Sequence, residues 1–342
     1  MVDFGGWDMP VQYPAGILAE HQHTRTAVSV FDCSHMGEFR VCGPRAAADL
    51  DRLLPRRVSP QAPGVGRYNL LLTEQGTVLD DLIVFRLSAD TFYLVVNAAT
   101  TPTDAAWIRA HLSPDTTFAD ESAATAKFDV QGPQAPAVLA ALGAPPAELP
   151  RYFHCRDFAL AGVPCLVSRT GYTGERGFEL YVPVADALTI WRRLLAFPTL
   201  CPAGLGARDT LRLEMGYPLY GHELNPDTTP AEAGLGWVVE PAHEFIGRAG
   251  ALAPPRRALV GIRLDSRRAA RAGCRVLAAD GSALGVVTSG SLAPTLGVAV
   301  ALATCRPDVV APGTPVVVEL GSARLPGVIA SLPFHDKGTV RA

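Results

Sequence analysis

Lysine is nearly missing from this chain. Of its 30 Lys and Arg residues only Lys127 and Lys337 are lysines. A GC-rich coding bias produces that pattern alongside abundant alanine and 29 prolines. Arginine is also the better residue for docking carboxylate or phosphate. The net charge of −3 leaves no basic footprint for nucleic acid. Cys-x-x-Cys is absent. The seven cysteines (33, 42, 155, 165, 201, 274 and 305) are scattered and odd in number. That excludes a disulfide framework or zinc knuckle and suggests reduced thiols in a cytoplasmic protein. No apolar run approaches the ~18 residues of a membrane span. The N-terminal "MVDFGGWDMP" has an early Asp and no basic segment, so it does not read as a signal peptide. There is no His-Glu-x-x-His, and His21 and His23 are two apart with His35 beyond, so no metal site is expected. Gly-x-Ser-x-Gly and phosphate-loop signatures are missing too.

What remains is an ordinary globular chain of 342 residues, 48% apolar and 18% charged, long enough for two or three domains. Residues 15–30 carry apolar residues at helical spacing, and "PRAAADLDRLL" reads as a second helix with Pro44 near its start. Residues 67–98 give an antiparallel meander: "RYNLLL", "TVLDDLIVFR" and "TFYLVVNAA", with short turns between. Helices are expected over "TPTDAAWIRAHL", "VADALTIWRRLLA" and "RDTLRLEMG", with two strands around Ala161–Gly162. From about Arg256 the pattern becomes short strands between Gly and Pro turns, which predicts a C-terminal all-β barrel or sandwich after a linker near Pro254.

Three stretches carry chemistry. "LDDLIVF" brings Asp80 and Asp81 into an apolar strand. Alternation sets Asp81 on the face of Leu79, Ile83 and Phe85, and Asp80 on that of Val78, Leu82 and Val84. A buried carboxylate needs a partner or a ligand. A Ser88–Ala89–Asp90 hairpin loop pairs residues whose numbers sum to 178 and so places Asp81 opposite Asn97. A strand-end hydrogen bond without chemistry would look the same. In "SRTGYTGERGFEL", Gly171, Gly174 and Gly177 bracket Tyr172, Glu175 and Glu179. This is either a loop that approaches a ligand bearing paired N–H donors or a hairpin with solvated glutamates. In "GLGARDTLRLEMGYPLYG", Arg208 either reaches inward to a carboxylate or forms a solvated face with Arg212.

Taken in order, "MVDFGGWDMPVQY", "FDCSHMGEFRVCGP", "LDDLIVF", "VVNAAT", "QGPQA", "SRTGYTGERGFELYVP", "GLGARDTLRLEMGYPLYGHEL", "AEAGLGWVV" and "GVVTSGSLAPTLGVAVAL" make the chain resemble the aminomethyltransferase family, the tetrahydrofolate-dependent T-proteins of glycine cleavage. The resemblance spans nearly the whole chain. It implies an α+β fold with mostly antiparallel sheets, a three-subdomain cloverleaf around a central folate channel. Residues 1–250 would form the folate-binding region, its second subdomain roughly 39–125, and residues 256–342 the β-barrel. It implies transfer of the one-carbon unit from aminomethyl-lipoyl H-protein to tetrahydrofolate by a soluble monomer, with ammonia released. Asp81 would be catalytic, and Asn97, Tyr152, Tyr172, Glu179, Arg208 and Tyr217 would contact folate, with no metal. Phe85 would keep the ring of a common Tyr and lose its hydroxyl. Departures are Arg176, Ala293 and Val298, and a start that lacks the further segment usual in relatives. Competing readings are a folate-dependent demethylase of a small methylated compound and a non-catalytic accessory protein. The second is disfavoured because the glycine loop lacks cysteine and the Asp pair is present.

Overall fold

The computed structural model describes residues 1–309 and 311–341. Three sheet-built units carry the chain. The first is a six-stranded sheet in the order Cys155–Leu160, Val163–Ser168, Gly177–Pro183, Thr125–Gln131, Val28–Asp32 and Leu200–Pro202. Only its last pair is parallel. The second is a five-stranded antiparallel sheet in the order Gly66–Leu72, Val78–Arg86, Thr91–Val96, Gly37–Cys42 and Thr117–Asp120. The third is a closed barrel of six strands between Ala258 and Ala330, which matches the all-β texture of that stretch.

Each unit buries its own apolar cluster. Phe128, Val130, Leu139, Phe178 and Ile190 pack under the first sheet. Phe39, Leu50, Leu82, Val84 and Ile108 pack under the second. Val260, Ile262, Ala301 and Val318 fill the barrel. The helices fall where the 3.6-residue pattern puts them, at Ile17–Thr26, Ala46–Leu53, Thr101–His111, Ala187–Leu195 and Leu205–Glu214. The first is shorter than its apolar pattern: Val28 and Val30 leave it to join the six-stranded sheet beside Leu200 and Pro202. β-branched residues pack well on a pleated surface, and here that tertiary pairing outweighs helical spacing.

The hairpin joining Gly66–Leu72 to Val78–Arg86 sets up the site. Gly76 turns with φ +80°, and a Cβ there would lie 2.3 Å from the Ala251 nitrogen, so only glycine suits the position. Just beyond, Leu72 pairs with Val78 but Leu71 pairs with Asp80, leaving Leu79 as the extra residue of a β-bulge. The next hairpin keeps the expected register: Ile83 faces Val95 and Phe85 faces Tyr93, each pair summing to 178.

Candidate active site

That register brings Asn97, one residue past its strand, up to both aspartates. Its Nδ2 donates to Asp81 Oδ1 at 2.8 Å and to Asp80 Oδ1 at 2.9 Å, and its backbone N–H donates to Asp80 Oδ2 at 3.0 Å. The other oxygen of Asp81 accepts from the Tyr68 hydroxyl at 3.0 Å. Strand alternation therefore separates the two carboxylates, and the amide of Asn97 reunites them. Burial pushes the Asp81 carboxyl up to about 7, and the adjacent charge of Asp80 pushes the same way against the hydrogen bonds from Tyr68 and Asn97. Asp80 is fully buried.

A second polar group stands on the six-stranded sheet. Lys127 and Asp129 share one strand face while Phe128 and Val130 point into the core. Lys127 Nζ donates to Asp129 Oδ1 at 2.5 Å and lies 3.3 Å from Glu179 Oε1. Glu179 Oε2 accepts from Thr170 Oγ1 at 2.9 Å and the Tyr181 hydroxyl at 2.8 Å. An ionised carboxylate offers about four acceptor sites, so Glu179 keeps capacity for one more donor. The solvated-hairpin reading of the glycine loop fails for Glu179, 5% exposed, and for Glu175, which pairs with Arg25 at 2.8 Å. Gln131 fills the space beside the glycines: a Cβ on Gly177 would lie 2.3 Å from its side chain, and one on Gly171 2.1 Å.

Tyr172 adjoins the second group through Arg208. Its ring stacks on Tyr217 at 5.7 Å, the Arg208 guanidinium lies 5.0 Å over its face, and its hydroxyl donates to the Pro218 carbonyl. Arg208 reaches inward and donates to Asp129 Oδ2 at 3.0 Å, so the inward alternative holds. Arg212 does not form a solvated face with it. Arg212 is buried and bonds Glu223, the Tyr217 carbonyl and Ser289 of the barrel. Asp81, Tyr68, Tyr172 and Arg208 are each half-buried, so each keeps some accessible surface. Tyr152 lies near Tyr217. Phe85 is fully buried and meets Tyr181 edge-on at 6.4 Å.

Asp81 and Asn97 lie in one contact group, and Tyr172, Tyr217, Arg208 and Glu179 lie in a second, linked through Asp129 and Lys127. Sequence reasoning missed Tyr68, Lys127 and Asp129. Lys127 and Asp129 were legible as the polar face of "AKFDV". Tyr68 was not, because the bulge at Leu79 shifts the pairing by one residue and reverses which side chains share a face with Asp81. His21 is buried against Thr210, Thr295 and Glu214, and His35 packs on Phe4.

Residues 1–243 match the family model described as the GCVT N-terminal domain, and residues 257–336 match the glycine cleavage T-protein C-terminal barrel domain. The chain belongs to the glycine cleavage T-protein family. Its relatives include proteins named aminomethyltransferase from Synechococcus elongatus, 44% identical across 97% of this chain and 91% of that one, and from Chlorobium chlorochromatii, 42% identical across 98% and 94%. The crystal structure of the glycine cleavage system aminomethyltransferase T from Bartonella henselae superposes with a TM-score of 0.92 at 35% identity, covering 99% of this chain and 94% of that one. The T-protein fold therefore accounts for all three sheet units. The structure has no helix long and apolar enough to cross a membrane among the described residues.

Proposed function

We infer that the chain is an aminomethyltransferase of glycine cleavage. It takes the one-carbon unit of an aminomethyl group on the lipoyl arm of H-protein and delivers it to tetrahydrofolate. Ammonia and the dihydrolipoyl arm leave, and 5,10-methylenetetrahydrofolate forms. The observation that carries this reading is Asp81: a half-buried carboxylate with a raised pKa, held by Tyr68 and Asn97.

The roles follow from the chemistry of the groups. Asp81 stabilises positive charge at the methylene carbon and the attacking folate nitrogen as the amine departs, and it holds that nitrogen in line. Asn97 fixes the carboxylate. Glu179, already oriented by Lys127, Thr170 and Tyr181, accepts an N–H donor of the pterin edge at its remaining acceptor site. Tyr172 and Tyr217 supply flat faces for the ring, with Tyr152 beside them. Arg208, charged at all working pH, draws in a folate carboxylate while Asp129 anchors it. The two domains are residues 1–250, with an inner subdomain roughly 39–125, and the barrel at 256–342. The enzyme works as a cytoplasmic monomer with lipoylated H-protein as its protein partner. No observation favours the demethylase alternative.

The decisive assay mixes the protein with aminomethylated H-protein and tetrahydrofolate. Ammonia and methylenetetrahydrofolate appear in equal amounts. Turnover of a small free methylated compound without ammonia release would overturn the reading. Asp81→Asn lowers kcat far more than it weakens folate binding. Comparable losses in both would remove Asp81 from the chemistry.

A further inference from the structure

Asp104, which neither the family resemblance nor the reading above assigns, lies behind the aspartate pair. It sits in the first turn of Thr101–His111 and is fully buried. Neither of its oxygens accepts a well-formed hydrogen bond from an N–H or hydroxyl donor. The Thr100 hydroxyl beside it is committed to the Asn97 carbonyl at 3.0 Å. What Asp104 does reach is the carboxyl group of Asp80. Two carboxyl groups in contact and out of water cannot both be charged; one proton between them turns repulsion into a hydrogen bond.

Which group holds that proton is decided by Asn97. Both oxygens of Asp80 already accept from it, one from its backbone N–H and one from its side-chain amide. An acid proton on Asp80 would compete with those donors. Asp104 has only the Thr100 hydroxyl beside it, which itself donates to the Asn97 carbonyl. We propose that Asp104 is a neutral carboxylic acid that donates its proton to Asp80, and that it positions Asp81 through the chain Asp104, Asp80, Asn97, Asp81.

The surroundings agree. Burial first, then the charge of Asp80, push the Asp104 carboxyl up to about 10. Among the described residues no Lys, Arg or His forms an ion pair with Asp80, Asp81 or Asp104. The titratable groups around the triad are Tyr68 from the neighbouring strand and Tyr172 and Tyr220 from the loops. None of them supplies a compensating cation. Asp104 therefore gives Asp80 a donor without adding a third negative charge beside Asp81.

The inference rests on the aminomethyltransferase reading, and two variants test it separately. In Asp104→Asn an amide N–H replaces the acid proton and cannot titrate. It keeps most of kcat, and it lacks the fall in kcat expected of the wild type as pH approaches 10. Asp104→Leu, of similar bulk without a donor, lowers kcat on the order of tenfold to a hundredfold with folate KM unchanged. Infrared spectra of the resting protein at neutral pH contain a protonated-carboxyl band that is absent from Asp104→Asn. Thermal unfolding of each variant separates misfolding from misplacement. An alkaline limb that persists in Asp104→Asn, wild-type kcat in Asp104→Leu, or an unchanged infrared band would each overturn the proposal. If the wild type released no ammonia, the functional reading would fail instead, and the infrared band would still decide the state of the pair.

Discussion

At the scale of single residues, the site places its charge where charge is expensive. Asp81 has its carboxyl raised to about 7 by burial and by Asp80. Between the ordinary carboxylate range and 7 the folded protein then binds more protons than the unfolded chain. Stability falls as pH rises through that window, and the loss is complete above it. Asp81→Asn removes the penalty, so its urea midpoint exceeds that of the wild type above pH 7 and converges with it at lower pH. Equal midpoints on the alkaline side would contradict the assignment. Activity runs the other way: kcat/KM rises as Asp81 ionises through about 7. Much of this was legible. The run of apolar residues after Asp81 marked a carboxylate in need of a partner, and counting through the Ser88–Asp90 loop found Asn97. Tyr68 and Asp104 were hidden, the first by a bulge, the second because a helix arrives from outside the sheet.

At the scale of elements, the glycine loop and the strand Thr125–Gln131 act as one piece. Thr173 Oγ1 donates to Gln131 Oε1 at 2.9 Å, and Gln131 Nε2 donates to the Thr170 carbonyl at 3.1 Å. The Gln131 side chain occupies the space that side chains at 171 and 177 would take. Gly177→Ala therefore displaces Gln131 and releases the loop. Overpacking of this kind costs about 1–3 kcal/mol, measurable by urea unfolding, and folate titration of the variant shows weaker binding. Unchanged folate affinity would mean that the loop holds its path without Gln131. Repeated glycine in "RTGYTGERG" announced a close approach, but nothing local named its partner, 40 residues away. The short strand Leu200–Pro202 was unreadable for the same reason: three residues carry no period, and its partner near Val28 is remote.

At the scale of the whole molecule, buried ion networks join the apolar seams in tying the units together. Arg25 bridges Glu175 of the glycine loop at 2.8 Å and Glu214 of the helix Leu205–Glu214 at 2.9 Å. Glu214 also accepts from the backbone of Thr295, next to the barrel. Burial alone would raise the Glu214 carboxyl, but His21 and Arg25 hold it near 2. Arg212 makes the parallel link, through Ser289 of the barrel at 2.9 Å and Glu223 at 3.1 Å. Removing one partner strands the other in low dielectric. Arg212→Met accordingly loses about 3–5 kcal/mol of stability by denaturant unfolding. A loss below about 1 kcal/mol would mean that water replaces the guanidinium. The barrel was legible from its texture, whereas these links were not, since "LRLE" reads equally well as a solvated helix face.

The scarcity of lysine has a practical consequence now that both are placed. Lys127 is 1% exposed and engaged by Asp129 and Glu179. Lys337 is exposed, two residues before Thr339, whose hydroxyl donates to Glu175 of the glycine loop at 2.6 Å. Of the two lysines, an amine-directed reagent therefore meets only Lys337. The native chain thus offers one addressable lysine for a fluorophore beside the glycine loop, with every cysteine left in place.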